Sequence, residues 1–326
     1  MERIQTGKTE LRKVFSETLR QLMENDPNTV YLEADLGGAI GTAKLLKEKP
    51  EQAIDIGIME ANMIGVAAGM SVKGKIPFVH SFGTFATRRC ADQVFLSGCY
   101  NKANVKIIGS DPGVSAEANG GTHMPLEDIA VFRAFPEMKI FDVAEPSLLA
   151  FVLESAAKDY GMTYIRFPRK LKKTYYAADQ KFEIGKGVVL AEGTDVTIVA
   201  SGIEVFEAIS AAEKLAAMSI SAEVIDMFNI KPLDEELIIK SAKKTGAVVT
   251  AENHNIIGGL GSAVAETLGE HFPAPIRRIG SRDHFGEVGS QSFLMEKFHM
   301  TADDIVQAAI QLTAEKKTAT IGRPAL

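Results

Sequence analysis

The chain has 326 residues, 46% hydrophobic and 24% charged, with a net charge of −6 and a pI near 5.7. That length suits two globular domains rather than one core. The acidic balance exerts no long-range pull on nucleic acid or anionic lipid, the basic run around Lys170 to Lys173 is short, and no stretch of 18 apolar residues occurs, so neither a nucleic-acid nor a membrane-spanning role is expected.

The opening MERIQTGKTELRK holds no apolar signal core, which makes the cytoplasm the expected compartment. Leu11, Val14, Phe15, Leu19 and Leu22 repeat at helical spacing, and TVYLE at 29 to 33 is a β-rich run behind the breaker Asp26-Pro27-Asn28. In DIGIMEANMIGVAAGM, residues 55 to 70, Met59, Met63, Val66, Ala67 and Met70 follow a helical period that predicts a buried helix, with Gly65 and Gly69 leaving one face flat for close packing. Next come the strand IPFVHS at 76 to 81, a helix from Ala86 to Tyr100 and the strand NVKIIGS at 104 to 110. Cys90 and Cys99, both within that helix, read as reduced, packed thiols rather than a disulfide or metal framework. After a long Gly-rich loop the pattern gives a helix near 126 to 134, the strand MKIFDV, a helix at 146 to 159 and the strand TYIRF.

The stretch 171 to 186, LKKTYYAADQKFEIGK, is largely polar without a clean period and reads as a domain boundary. A second alternating set follows: TDVTIVASG, a helix from Val205 to Met218, SAEVIDM, a helix at 234 to 243, GAVVTAEN, a helix at 262 to 271 and PIRRIG. Strands separated by helices predict two α/β units, each a mostly parallel sheet covered by helices, over residues 1–175 and 186–326.

Glu60 is the only ionisable side chain after Asp55 in its stretch. At the start of a helix it is either a partner of the helix dipole or a proton donor in a dry site. In HSFGTFATRRCADQV, at 80 to 94, Phe82 and Phe85 lie three apart beside Arg88 and Arg89; such a pair packs a core or walls a flat heteroaromatic ligand. The loop SDPGVSAEANGGTHMPLED at 110 to 128 exceeds the usual connection length. Its position after a parallel strand suits a site, and Gly120 and Gly121 allow the backbone at His123 to approach a ligand. RFPRK at 166 to 170 is surface charge or an anion clamp. NIIGGLGSAVAE at 255 to 266 lacks the full dinucleotide-binding spacing and a P-loop lysine, and reads as a structural strand-to-helix turn.

Together these segments resemble the C-terminal half of the transketolase family. The Glu60 helix resembles the one whose glutamate meets the aminopyrimidine of thiamine diphosphate. FGTFATRRCADQV resembles the ring-stacking segment, NGGTHMPLEDIAVFRAFPEMKIFDVAEP the long G-x-T-H loop and its following strand, and FPR the substrate phosphate clamp. AENHNIIGGLGSAVAE and FGEVGSQSFLMEKF extend the resemblance into the small C-terminal domain. The implied fold is a thiamine-diphosphate-binding pyrimidine domain followed by a smaller α/β transketolase C-terminal domain. The family's Gly-Asp-Gly motif, which with a later Asn holds the divalent metal, does not occur in the 326 residues. The resemblance is therefore to one subunit of a split transketolase. It implies an N-terminal partner that holds the diphosphate and Mg²⁺ (or Ca²⁺ or Mn²⁺), an α2β2 assembly with self-association of this chain, and no activity for this chain alone.

Residue by residue, the resemblance assigns Glu60 to N1′ of the aminopyrimidine. A carboxyl sharing a proton there favours the imino tautomer, and an apolar helix around Glu60 would help it hold that proton. Phe85 would stack on the pyrimidine with Phe82 beside it; Arg88 stands where many relatives have an aromatic residue. His123 would hydrogen-bond sugar oxygens or shuttle a proton at the carbonyl under attack. Asn119 takes the place of an Asp that reads a sugar hydroxyl, and Arg169 and Arg12 would bind the substrate phosphate. Asp35, in EADLGGA, matches an acid near the cofactor, although Gly38 and Ala39 replace a polar residue expected there. The implied reaction moves a two-carbon ketol unit from a ketose phosphate to an aldose. The β subunit of a 2-oxo acid dehydrogenase has similar length and domain order, but GGTHMPLED fits transketolase better. A deoxyxylulose-phosphate synthase shares the T-H loop but comes as one long chain. A scaffold that kept the fold and lost the chemistry is opposed by Glu60, Phe85 and His123.

Overall fold

The computed structural model describes residues 4–321, with side chains as far as Lys316. After the two-residue β1 (Gln5–Thr6), α1 (Leu11–Asn25) buries Leu11, Phe15, Leu19 and Met23 on one face and leads to β2 (Thr29–Glu33), which is buried throughout. The short α2 (Gly37–Ile40) and α3 (Ala43–Glu48) precede β3 (Ala53–Asp55), α4 (Glu60–Val72) and β4 (Ile76–Phe82). A broken helical stretch, α5 (Gly83–Thr87), α6 (Ala91–Gln93) and a π-helical Val94–Tyr100, runs to β5 (Lys106–Ser110). Two 3₁₀ turns fill the long loop, and α7 (Asp128–Arg133), β6 (Lys139–Asp142), α8 (Pro146–Lys158), β7 (Thr163–Phe167) and β8 (Lys173–Thr174) follow. The second half carries β9 (Val188–Ala191), β10 (Val196–Ala200), α9 (Glu204–Ala217), β11 (Ala222–Asp226), β12 (Asn229–Lys231), α10 (Glu235–Thr245), β13 (Val248–Asn255), α11 (Leu260–His271), β14 (Ile276–Ser281), α12 (Gln291–Lys297) and α13 (Ala302–Ile321).

Two sheets result, ordered β12-β6-β7-β5-β4-β2-β3 and β14-β13-β10-β11-β9, with β1 and β8 forming a small antiparallel pair. Both large sheets are parallel except at one edge, where β12 runs antiparallel to β6 and β9 antiparallel to β11. On one face of the first sheet α1 and α8 bury Phe15, Leu148 and Val152 against Tyr31, Phe78 and Ile165. On the other, α4 and α7 bury Met63, Ile64 and Phe132 against Val79, Ile107 and Tyr164, and this cluster continues into Val199, Met227 and Leu260 of the second half. The halves therefore share apolar packing as well as a strand.

Three features differ from the sequence pattern. The helix expected from Ala86 to Tyr100 is not continuous: Thr87 Oγ1 donates to Gly83 O (2.6 Å) and Cys90 Sγ to Ala86 O (3.0 Å), so side chains compete for the carbonyls that would carry an α-helix forward. Burial pushes the Cys90 thiol up to about 12 and the Cys99 thiol up to about 11, as befits packed thiols. The polar stretch at 171 to 186 is anchored: Tyr175 and Tyr176 both donate to Asp226 (2.8 and 2.7 Å), and the Phe182 ring lies 5.5 Å from that of Phe151. Gly65 and Gly69 are exposed, and a Cβ on either would meet nothing within 4 Å, so the flat face of α4 is not packed within the chain.

Candidate active site

From β2 the chain passes to the edge strand β3, whereas β4, β5 and β7 lie on the other side of β2, so the connections diverge between β2 and β4 at the carboxyl ends of the strands. Ligand crevices form at such switch points. Glu60, the first residue of α4, enters there and is only 1% exposed. Its Oε1 accepts a hydrogen bond from Ser81 Oγ (2.8 Å) and its Oε2 one from Arg89 Nη1 (2.8 Å). The apolar surroundings expected for this carboxyl are thus replaced by two donors, one of them a cation. The same Arg89 guanidinium carbon stands 4.0 Å from the centre of the Phe85 ring. Phe82, Phe85 and His123 meet edge to face, with centroids 5.1 to 6.4 Å apart. Three of the expected site residues therefore gather beside a fourth, the buried Glu60 carboxylate.

A second cluster lies on the far side of Phe82. Arg169 Nε donates to Asp111 Oδ2 (2.6 Å), its backbone amide to Oδ1 (2.9 Å), and its guanidinium carbon sits 4.8 Å from the Phe82 ring centre. The clamp arginine is thus held by a buried carboxylate instead of standing free. It lines a cleft of about 230 Å³ with Ser115, Asn119, Lys170 and Gln291, the last from α12 of the second half. Arg12 reaches the same region through its backbone: its amide donates to Arg169 O (3.0 Å) while its guanidinium holds Glu10 (2.6 Å) and Ala39 O (3.3 Å). Arg88 pairs with Glu127 (2.7 Å). Asp35 is exposed at φ 60°, its amide bonded to Asp55 (3.1 Å), and among the described residues no hydrogen bond or ion pair joins its side chain to either cluster.

Residues 7–174 match the family model for the transketolase pyrimidine binding domain, and residues 185–305 that for the transketolase C-terminal domain. The chain belongs to the transketolase family. It is 48% identical, over 94% of its own length and 95% of the relative's, to a 6-deoxy-6-sulfo-D-fructose transketolase subunit of Clostridium sp. (strain MSTE9). To one subunit of an apulose-4-phosphate transketolase of Phocaeicola vulgatus it is 36% identical, covering 92% and 96% of the two chains. A solved split-gene transketolase, an inactive beta4 tetramer, superimposes with a TM-score of 0.87 at 42% identity, over 94% of this chain and 98% of that one.

Within this transketolase fold several site neighbours carry no recognisable pattern in the sequence. Ser81, a partner of Glu60, and Asp111, the partner of Arg169, are polar residues whose aromatic, glycine and basic neighbours define the motifs, and Arg89 stands in the basic pair beside the rings with nothing local to mark Glu60 as its partner. Beneath Phe82, on the same sheet face, Glu33, His80 and Ser110 form a chain across β2, β4 and β5. His80 Nδ1 lies 2.9 Å from Glu33 Oε1, and its Nε2 lies 3.0 Å from Ser110 Oγ; all three residues are fully buried. Burial pushes the Glu33 carboxyl up, but the His80 charge and hydrogen bonds from His80, Tyr31 and the Ala34 amide outweigh this and hold it below its usual range. Alternation along β4 is the signal for this set, since His80 and Phe82 share one face and Ser81 takes the other.

Gly120 and Gly121 meet the second half of the chain. A Cβ on Gly121 would collide with the Gly286 carbonyl, and one on Gly120 would crowd Val288, so these glycines let the segment FGEVGS of the second half lie flush on the T-H loop. The GGLG turn is structural as expected, for a definite reason: the amides of Leu260 and Gly261 at the start of α11 donate to Glu252 (2.7 and 2.8 Å), so the chain's own carboxylate fills the place a phosphate would take. Burial pushes the Glu252 carboxyl up to about 7.

Proposed function

We propose that this chain is the C-terminal subunit of a two-chain, thiamine-diphosphate-dependent transketolase, active only with an N-terminal partner, and that it helps move a two-carbon ketol unit from a ketose with an anionic terminal group to an aldose. The observation that carries the reading is Glu60: a buried carboxylate at a helix start, joined through Arg89 to the face of Phe85, with Phe82 and His123 packed edge to face against that ring. The site fits the ring of the cofactor, because it already holds a flat, N–H-bearing group, the Arg89 guanidinium, between that carboxylate and that ring face. Thiamine diphosphate, when bound, supplies the electron sink that lets a carbon–carbon bond beside a carbonyl break.

In this reading residues 1–175 are the pyrimidine-binding domain and residues 186–326 the C-terminal domain. Glu60 holds a proton at N1′ of the aminopyrimidine, and Phe85 and Phe82 wall the ring and exclude water. His123 hydrogen-bonds the sugar oxygens near the reacting carbonyl. Arg169 and Arg12 orient the anionic end of the sugar, with Asn119 in the same cleft as Arg169, and Asp35 stands near the cofactor. Among the described residues no group of three or more His, Cys, Asp or Glu side chains is placed to hold a metal ion. Mg²⁺, or Ca²⁺ or Mn²⁺, is assigned to the partner, which carries the Gly-Asp-Gly motif absent here, in an α2β2 assembly. A match over more than nine-tenths of both chains to relatives that are themselves named as subunits supports a separate partner chain. The sulfofructose and apulose-phosphate transketolases among them favour a specialised sugar over a generic pentose phosphate donor.

The reading is tested by co-expressing the chain with a Gly-Asp-Gly-bearing transketolase subunit from the same genome, adding thiamine diphosphate and Mg²⁺, and screening sulfonated and phosphorylated ketose donors against aldehyde acceptors. Ketol transfer by the mixture and by neither chain alone is expected; a pair that assembles, ignores the cofactor and turns over no ketose would overturn it. Arg169→Lys keeps the cation beside Asp111 but loses the planar fork. It is expected to raise KM for ketoses with an anionic terminus about tenfold while leaving that for unsubstituted ketoses nearly unchanged. Equal shifts for both substrate types would remove Arg169 from the anion site.

A further inference from the structure

We propose that Arg89 is an internal stand-in for the cofactor ring, holding Glu60 and Phe85 in the isolated chain and giving way when the aminopyrimidine enters. The inference rests on the functional reading above and adds a competition within the same site. Arg89 Nη1 donates to Glu60 Oε2 at 2.8 Å, and its guanidinium lies 4.0 Å from the Phe85 ring centre. These are the two residues assigned to the ring, one at its edge nitrogen and one at its face. A guanidinium and a protonated aminopyrimidine share the relevant chemistry, since each is planar, delocalised and armed with in-plane N–H donors. Two such groups cannot both lie on one face of Phe85 and present an in-plane donor to the same carboxylate oxygen.

The geometry also shows which group yields. The Glu60 side chain is 1% exposed and fixed at the start of α4, whereas that of Arg89 is 42% exposed, so its long arm can swing into water at little cost. While it stays, it answers a need of the isolated chain. Ser81 satisfies only Oε1, and without Arg89 the second oxygen of a buried carboxylate has no donor among the described residues. Arg88, the neighbouring cation, faces Glu127 instead. Arg89 thus stabilises the empty-handed subunit with the contacts the cofactor must later take over, which couples folding of the chain to an opposing effect on cofactor affinity.

The signature is a pair of effects with opposite sign. Arg89→Met is expected to lower the thermal midpoint of this chain alone by a few degrees, roughly, because Glu60 loses a donor. Mixed with the partner subunit and titrated calorimetrically with thiamine diphosphate and Mg²⁺, the same variant is expected to bind the cofactor roughly three- to thirtyfold more tightly, the range set by an ion pair and a cation–π contact no longer displaced. Arg89→Lys, which keeps the charge without the flat fork and is the milder change should the Met variant fold poorly, should shift affinity in the same direction by a smaller factor. Unchanged or weaker binding in both variants, with the wild-type pair binding normally, overturns the stand-in role alone. Absence of binding by the wild-type pair overturns the functional reading and this inference with it.

Discussion

Glu60→Gln in the two-chain enzyme is expected to reduce kcat by about 10²- to 10⁴-fold, the range for loss of a positioned proton-transfer group. Gln keeps the shape of the side chain and an oxygen for the Ser81 hydroxyl, which donates to Oε1 at 2.8 Å, and gives up the contact with Arg89, whose half-exposed arm can turn into water, so folding and partner binding should survive. What it loses is the carboxyl that can hold or share a proton at N1′ of the aminopyrimidine. The loss should therefore appear in kcat and in kcat/KM together, with KM for the ketose little changed, because the interaction serves the activated cofactor and not the binding of sugar. Steady-state rates on purified, reconstituted enzyme measure this, with analytical ultracentrifugation to confirm assembly. Undiminished turnover in a correctly assembled variant would take Glu60 out of the mechanism.

Arg166→Met is expected to be the most damaging single change to stability. Arg166 is fully buried in β7; it donates to Asp128 (2.8 Å), to Asp142 (2.9 Å) and to the backbone oxygen of Asn253 (3.1 Å) in β13 of the second sheet. Burial works against its charge, and the two carboxylates more than offset that and raise its pKa further. Tyr164 also donates to Asp128 (2.7 Å) and Ser201 to Asp142 (2.8 Å), so one cation anchors a polar network that bridges the two halves. Removing it leaves two buried carboxylates without a countercharge, which costs about 3–5 kcal/mol in comparable pairs. Chemical denaturation should show this as a lowered midpoint, and Arg166→Met combined with Asp128→Asn and Asp142→Asn should recover much of the loss, because the uncompensated charge is then gone. A single variant within about 1 kcal/mol of the wild type would mean that the network does not hold the halves together.

The sequence was most informative where periodicity and length agreed. α1, α8, α9 and the inner strands of both sheets stand close to where hydrophobic spacing put them, because each buries a full face and has ten or more residues, or a buried run, to announce it. β12 is three residues long and joins the sheet of the other half, a tertiary event without a local signal. The break after Thr87 depends on hydroxyl and thiol bonds to carbonyls four residues back, which residue identity permits but does not require. At the site, types and approximate places were legible: Glu60, Phe82, Phe85 and His123 converge. Pairings were not. Asp111 and Arg169 are 58 residues apart, and Arg89 and Glu60 29 apart, so what each charge faces is decided by strand order and loop path. Gly120 and Gly121 show the same limit, since the need for two bare backbones there comes from Gly286 and Val288 far along the chain.

That this chain supplies half of a cofactor site is tested most directly by titrating thiamine diphosphate with Mg²⁺ into this chain, into its Gly-Asp-Gly-bearing partner and into their equimolar mixture, with heat or fluorescence quenching as the readout. Saturable binding of one cofactor per pair of chains in the mixture, far tighter than to either chain alone and weakened by Glu60→Gln, is the predicted result. Equally tight binding by this chain alone, or binding by the mixture that is indifferent to Glu60, would contradict it.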